Sequence, residues 1–372
     1  MPIAKQFGTN WFTTVMGIGI VAALTYTSPV SFPLHKTLGI VLFVVLNIWF
    51  VISLGFWLTR WVRHTRDALE DFHHPNRALF YGALAMAINV TGNDYFLIGQ
   101  HLMTAGAAIA ASQAIWVAGT AVSLFTVFVV PYLLFTVHEV TTKDALASWL
   151  IPVVPPIVAA ATGTNLIPFW GSPAAQFAVT ALILAMFGMT LFLFLMVSAL
   201  VYFRLVYHKR IEGEFAPSVW VEIGPIGMSM ATLSTLPFTA HGLFGAWDAG
   251  LRAVGLIASS AMWGVGLWWI VIAAVYSLHH LTRRGDGIKY TLGWWSYVFP
   301  IGSFTSGTYA LNHLVGGGFF AAAGLVQLVI LWGCFLIVSW RTARHTMDGT
   351  LFHAGPAAGA PRIARTDMNA SA

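Results

Sequence analysis

Long apolar runs alternate with short polar loops along almost the whole chain. Each run approaches or exceeds the ~20 residues that a helix needs to cross a bilayer core. Ten candidate spans follow: 11–27, 37–60, 78–98, 112–136, 149–167, 176–203, 219–240, 250–279, 293–314 and 316–340. The small, Ala-rich segment 99–111 reads as a lead-in to the fourth. Residues 1–345 are therefore expected to form one ten-helix transmembrane domain. The tail 346–372 is rich in Ala, Gly and Pro and is expected to be disordered in the cytoplasm.

The runs are of two kinds. Even-numbered ones are smooth and aliphatic, as from Leu38 to Phe56 and from Leu182 to Val201. Odd-numbered ones are interrupted by Gly, Pro and hydroxyl residues. The first carries Thr13, Thr14, Gly17 and Gly19, and the third Asn89, Thr91, Asn93 and Asp94. The fifth has Pro152, Pro155 and Pro156, the seventh Gly224, Pro225 and Gly227, and the ninth Pro300, Gly302 and Ser303. Broken backbone at membrane depth is tolerated where protein or water covers it, not lipid. The pattern predicts five inner, pore-lining helices surrounded by five outer ones. The competing explanation is that the small residues only tighten helix packing.

A weak repeat supports the division. Trp11, Trp149, Trp220 and Trp295 each open an odd run, and Gly17, Pro155, Pro225 and Pro300 follow five or six residues later. An interfacial Trp followed by a helix break at a common depth suggests repeated hairpins around one axis. The third run departs from this, with Phe80 and Gly82 but no Trp or Pro.

Composition and charge fix the setting. The chain is 58% hydrophobic and 8% charged, against about 25% charged in soluble domains. Sixteen of its eighteen Lys and Arg fall in loops on one side, and only Lys36 and Arg252 on the other. The positive-inside rule then puts both termini in the cytoplasm of a plasma (inner) membrane protein. A pI near 9.4 reflects those loops and not nucleic-acid binding. Membrane lipid with anionic headgroups is the expected partner of these cations. Cys334, the single cysteine, lies inside an apolar run and supports no disulfide. No removable signal peptide is expected, because Trp11 already opens the first run.

No Lys or Arg lies near the middle of a run, so no buried cation is available to hold an anion. Hydroxyls, amides and backbone N–H groups at helix breaks, aided by helix dipoles, would line a weak-field path. Asp94, Glu139 and Glu222 are the acids nearest the membrane. Glu222, just before Gly224 and Pro225, is a candidate for proton coupling; the alternative is an interfacial carboxylate paired with a loop cation. Asp94, beside Asn93, suits a structural hydrogen bond. Glu139, at the end of the fourth run, suits solvation. His73-His74 and His279-His280 raise a rival of another class, a membrane metalloenzyme with interfacial histidines. Those pairs lack further spaced partners, so neither a metal nor a cofactor is expected. No phosphate-binding GxxxxGK[ST] pattern is present, which excludes an ATPase.

The segments resemble one family. Trp294-Trp295-Ser296-Tyr297-Val298-Phe299-Pro300 is similar to the ninth-span motif of the tellurite-resistance/dicarboxylate transporters. Ile223-Gly224-Pro225-Ile226-Gly227 resembles their seventh-span Gly-Pro-x-Gly, and Trp11-Phe12 with Met16-Gly17-Ile18-Gly19-Ile20 their first-span motif. His74-Pro75 also fits. That family includes plant slow anion channels, a fungal malic acid permease and a fungal sulfite efflux pump. The resemblance implies ten helices, five of them lining a pore, and a homotrimer with one pore per protomer. It implies a gating phenylalanine at Phe299 and kinked inner helices at Pro155, Pro225 and Pro300. It implies transport of small anions, such as malate or sulfite, and no enzymatic activity. A proton-coupled organic-anion carrier is the alternative.

Overall fold

The computed structural model describes residues 2–282 and 287–353. Among these residues all regular structure is helical. The principal helices among the described residues fall into two lengths. Five are long: α2 (His35–Arg63), α4 (Ala105–Thr136), α6 (Pro173–His208), α8 (Asp248–Leu281) and α10 (Phe319–Met347). Among the described residues they are the five helices long and apolar enough to cross a membrane. Large apolar side chains such as Ile48, Val51, Phe128, Phe192, Ile257, Val271 and Ile330 point away from the protein along them. In water such faces would aggregate; in hydrocarbon they are solvated.

The other five are short: α1 (Phe12–Tyr26), α3 (Tyr81–Leu97), α5 (Pro155–Thr164), α7 (Ile223–Thr239) and α9 (Phe299–Val315). Every residue of α5, and every residue of α1 except Tyr26, is buried. At 1.5 Å per residue these helices are about 15–26 Å long, less than the ~30 Å of a hydrocarbon core. Each is followed by a long helix that packs back on it, giving five hairpins. The short helices touch one another in the cycle α1–α3–α5–α7–α9–α1. Because every hairpin returns the chain, all five start at the same end.

Most short helices do not begin where the apolar run begins. Thr9–Trp11, Ala147–Leu150, Gly213–Glu222 and Leu292–Tyr297 are tight 3-10 turns that lead into α1, α5, α7 and α9. Trp11, Trp149, Trp220 and Trp295 lie in these lead-ins. The expectation that they are interfacial anchors needs correction. Trp11, Trp220 and Trp295 are buried in protein. The Trp220 indole N–H donates to Ser277 of α8 at 2.9 Å, and that of Trp295 to Thr342 of α10 at 3.1 Å. They pin irregular backbone to the long helices, which is the cover that such backbone requires.

The connection from α2 to α3 is held by charge. Arg60 donates twice to the Asp71 carboxylate, at 2.5 and 3.0 Å, and to the Asp67 carbonyl at 3.0 Å. Both side chains are almost fully buried, and Arg77 adds a contact at 3.3 Å. As for the expected tail 346–372, helix α10 runs to Met347 and a further helical turn spans Thr350–His353, in which Phe352 stacks on Trp11 with ring centroids 5.3 Å apart. The rest of it lies outside the described residues, as do Arg283, Arg284, Arg362 and Arg365. The lead-in assigned to 99–111 ends at Thr104, whose hydroxyl caps α4 by accepting from the Ala107 N–H.

Candidate functional site

Of the residues singled out in the sequence, Pro155, Glu222, Gly224, Pro225, Phe299 and Pro300 gather at the starting ends of the short helices, whereas Gly17 and Gly19 lie within α1 and Asp94 near the far end of α3. Pro155 and Pro300 occupy the first turns of α5 and α9, and Pro225 is the third residue of α7. Expected kinks at these three positions are therefore not kinks. A proline in the first turn loses no helical hydrogen bond and initiates the helix. The break lies one step earlier, in the 3-10 lead-ins.

Four glycines expected to mark breaks or the lumen lie inside continuous helix and face neighbouring helices. A Cβ on Gly17 would stand 2.3 Å from the Trp295 ring, and one on Gly19 2.5 Å from Val90. On Gly227 it would meet the backbone of Ser303 and Phe304 at 2.3 Å, and on Gly302 the Ile20 side chain at 2.6 Å. At these positions the packing explanation prevails. Gly224 differs. It is buried, yet a Cβ there would meet nothing within 4 Å. Open space therefore adjoins the first turn of α7.

The hydroxyls of the short helices are mostly turned back on their own backbone. Thr162, Thr232, Ser303, Thr305 and Thr308 each donate to the carbonyl four residues earlier, at 2.8–2.9 Å. Such bonds satisfy the hydroxyl inside an apolar bundle, and the Thr308 oxygen also accepts the indole N–H of Trp263 on α8 at 3.2 Å.

Phe299 is the first residue of α9 and is buried at 3% exposure. Glu222 immediately precedes α7 and is completely buried. The alternative of an interfacial carboxylate paired with a loop cation does not hold. Its Oε2 accepts a 2.5 Å hydrogen bond from Ser198 of α6, while Oε1 has no partner. Among the described residues no Lys or Arg pairs with it. Ser198 lies in a smooth apolar run, and nothing in the sequence marked it.

Asp94 also departs from expectation. It is completely buried near the far end of α3, and neither carboxylate oxygen has a well-formed hydrogen bond. The amide oxygen of its neighbour Asn93 instead accepts from Asn165 at 3.2 Å. Glu139 is exposed, as its position implied. Among the described residues, no three of His, Cys, Asp and Glu form a group able to hold a metal ion. His138 Nε2 donates to the Phe72 carbonyl at 2.7 Å, next to His74, whose two ring nitrogens are buried without partners. Burial, and then the Arg77 charge, lower the His74 pKa.

Comparison with known proteins places this arrangement. The voltage-dependent anion channel family matches residues 6–343. An uncharacterized transporter of Methanocaldococcus jannaschii is 25% identical over 94% of this chain and 97% of its own length. The sulfite efflux pump of Trichophyton rubrum is 27% identical over 94% and 93%. The malic acid transport protein of Schizosaccharomyces pombe is 20% identical over 94% and 81%. These relatives are transporters and not enzymes, and they are matched over 81–97% of their own lengths. With its lipid-suited outer helices and its buried ring of polar-interrupted ones, this chain is a membrane protein that belongs to the voltage-dependent anion channel family.

Proposed function

We propose that the chain crosses the plasma (inner) membrane ten times and conducts small anions through the centre of the five-helix ring. Both termini lie in the cytoplasm, and three protomers assemble, each with its own pore. Sulfite or a C4-dicarboxylate such as malate is the cargo, by analogy with the fungal sulfite and malic acid transporters. Phe299 forms the constriction, where a hydrophobic ring gates by excluding water.

One observation carries the reading. Five parallel helices without a Lys or Arg begin at one end of the molecule, and Lys5, Arg63, Arg66, Arg77, Lys143 and Lys209 cluster at that same end. Helix N-termini each carry about half a positive charge, so the ring attracts anions there without a buried cation. The surrounding cations concentrate anions at the mouth. Inside, nothing binds tightly enough to stop conduction.

The test is flux from proteoliposomes under a clamped potential, comparing sulfite, malate, nitrate and chloride. Current should follow the anion gradient at equal pH, and Phe299→Ala should raise it. Unchanged or lower flux in a folded Phe299→Ala protein would remove the gate. A second reading, a proton-coupled carrier, is favoured by the unpartnered Oε1 of buried Glu222. It requires that flux appear only with a proton gradient and vanish in Glu222→Gln.

A further inference from the structure

The outer surface carries a groove that anion conduction leaves unused. It lies between the halves of α6 and α8 nearest the starting ends of the short helices, the cytoplasmic side in the proposed topology on which this inference rests, and offers about 370 Å³ of open space. That volume falls within the ~300–1,000 Å³ of small-molecule sites. Tyr202, Leu205 and Val206 form one wall, and Trp268, Trp269 and Ile272 the other. Lys209 and Arg210 close one end. We propose that this groove binds one anionic phospholipid, with an acyl chain along the apolar walls and the phosphate on Lys209 and Arg210.

Three observations point to that occupant. First, the groove opens on the face of the long helices, where lipid is the solvent. Tyr202 and Trp268 remain about half exposed beside it. Tyr202, near the end of α6, has the polar tip that favours the headgroup level of a bilayer, while Trp268, deeper along α8, borders the acyl region.

Second, the charges are in the right place and are uncommitted. Both Lys209 and Arg210 are exposed, and among the described residues neither side chain has an ion-pair partner. Nearby Glu212 lies beyond Ile211 and does not line the groove. A guanidinium binds phosphate through two parallel donors, and an ammonium binds it as a point charge.

Third, the turn that presents the cations is fixed before any ligand arrives. Lys209 stops α6 in a left-handed conformation, φ 58°. The buried Arg204 guanidinium donates to the Lys209 carbonyl at 3.0 Å and to the Arg210 carbonyl at 3.2 Å. On the other wall the Tyr276 hydroxyl accepts the Ile211 N–H at 2.6 Å. Both helices therefore hold the same turn. A preorganised site spends little ordering entropy on binding.

Charge complementarity selects an anionic lipid over a neutral one. Each basic group near a membrane surface strengthens attraction to anionic lipid, and removing two should weaken binding roughly tenfold to thirtyfold.

The experiment is native mass spectrometry of the full chain in detergent, titrated separately with phosphatidylglycerol and phosphatidylcholine. The wild type should retain phosphatidylglycerol selectively. Lys209→Gln with Arg210→Gln should lose that preference by about tenfold to thirtyfold, the scale of two basic groups. A charge-matched control at the opposite end, Lys36→Gln with Arg252→Gln, should keep it. Trp268→Ala should weaken both lipids alike, since it shortens only the apolar wall. Unchanged phosphatidylglycerol retention in the first variant would overturn the proposal. So would equal loss in the control, which marks non-specific charge. A shift in oligomeric state with no change in lipid would assign the groove to a second copy of the chain instead. None of these readouts depends on flux, so failure here leaves the conduction proposal standing.

Discussion

Gly224 and Gly227 lie one turn apart on α7, and the same substitution should act on them in opposite ways. A Cβ at Gly227 would stand 2.3 Å from the Ser303 carbonyl and the Phe304 amide nitrogen. Ordinary contact begins near 3.4 Å, so α7 and α9 must separate by about 1.1 Å, the difference of the two. The obstacle is backbone and cannot rotate away. The contact is reciprocal, because a Cβ on Gly307 of α9 would meet the Gly227 carbonyl oxygen at 2.6 Å. Overpacking of this kind costs about 1–3 kcal/mol, against a gain of up to ~1 kcal/mol from replacing glycine by alanine in a helix. Gly227→Ala should therefore lose about 1–2 kcal/mol net, and Gly227→Val more. Gly224→Ala meets nothing within 4 Å and should keep only the gain, about 0.5–1 kcal/mol. The assay is unfolding of the two purified variants in one detergent, followed by flux per folded protein. Gly227→Ala should fall below the wild type in stability and Gly224→Ala rise above it. Flux should change in Gly224→Ala if the open space belongs to the conducting path. A Gly227→Ala protein as stable as Gly224→Ala would refute the close α7–α9 approach.

Two further outcomes follow from the connection between α2 and α3. Asp71→Ala leaves Arg60 buried without its carboxylate and should cost about 3–5 kcal/mol, measured as lost thermal stability; Asp71→Ala with Arg60→Met should recover part of it. His74 has a folded pKa below its ordinary value, so below that value the unfolded chain holds more protons than the folded one. Stability should then fall as pH drops below about 6.5, the ordinary histidine value, and His74→Gln should flatten that slope in a pH series of melting curves.

The division into two kinds of helix was legible because it depends on composition over whole runs. Smooth aliphatic stretches became the long helices α2, α4, α6, α8 and α10, each within several residues of the expected bounds. Their lipid-facing sides need only be apolar, and apolarity is visible residue by residue. The short helices were harder to read. Trp149 and Pro155 marked the fifth run, but not that 147–154 would be tight turns and α5 only 10 residues long. That outcome depends on tertiary partners, such as the indole bonds of Trp220 and Trp295 to α8 and α10. The glycines divide for the same reason. Gly17 and Gly224 look alike in sequence, yet one receives a Trp ring and the other borders open space. Ser198 had no local signature, because its role is set by Glu222 on another helix.

Glu222 tests whether anions enter through the ring as proposed. Its carboxylate precedes α7 at the end where all five short helices begin, a position that helix dipoles favour for negative charge. Any anion entering there meets the same field, so a charged Glu222 competes with the cargo. The side chain is not simply aimed at the cargo, however. Its bond to Ser198 turns it toward α6, in the outer layer. A group so placed acts on the cargo through its field more than through contact. In a channel, Glu222→Gln should raise anion conductance at neutral pH, leave the order of preferred anions unchanged, and remove pH dependence of that conductance. In a proton-coupled carrier the same variant should abolish uptake driven by a pH gradient and leave no anion flux at equal pH. Ser198→Ala separates field from contact: it frees the carboxylate from α6 without removing its charge. If Ser198→Ala and Glu222→Gln behave identically, the hydrogen bond and not the charge is the functional element, and the electrostatic account of this entrance fails.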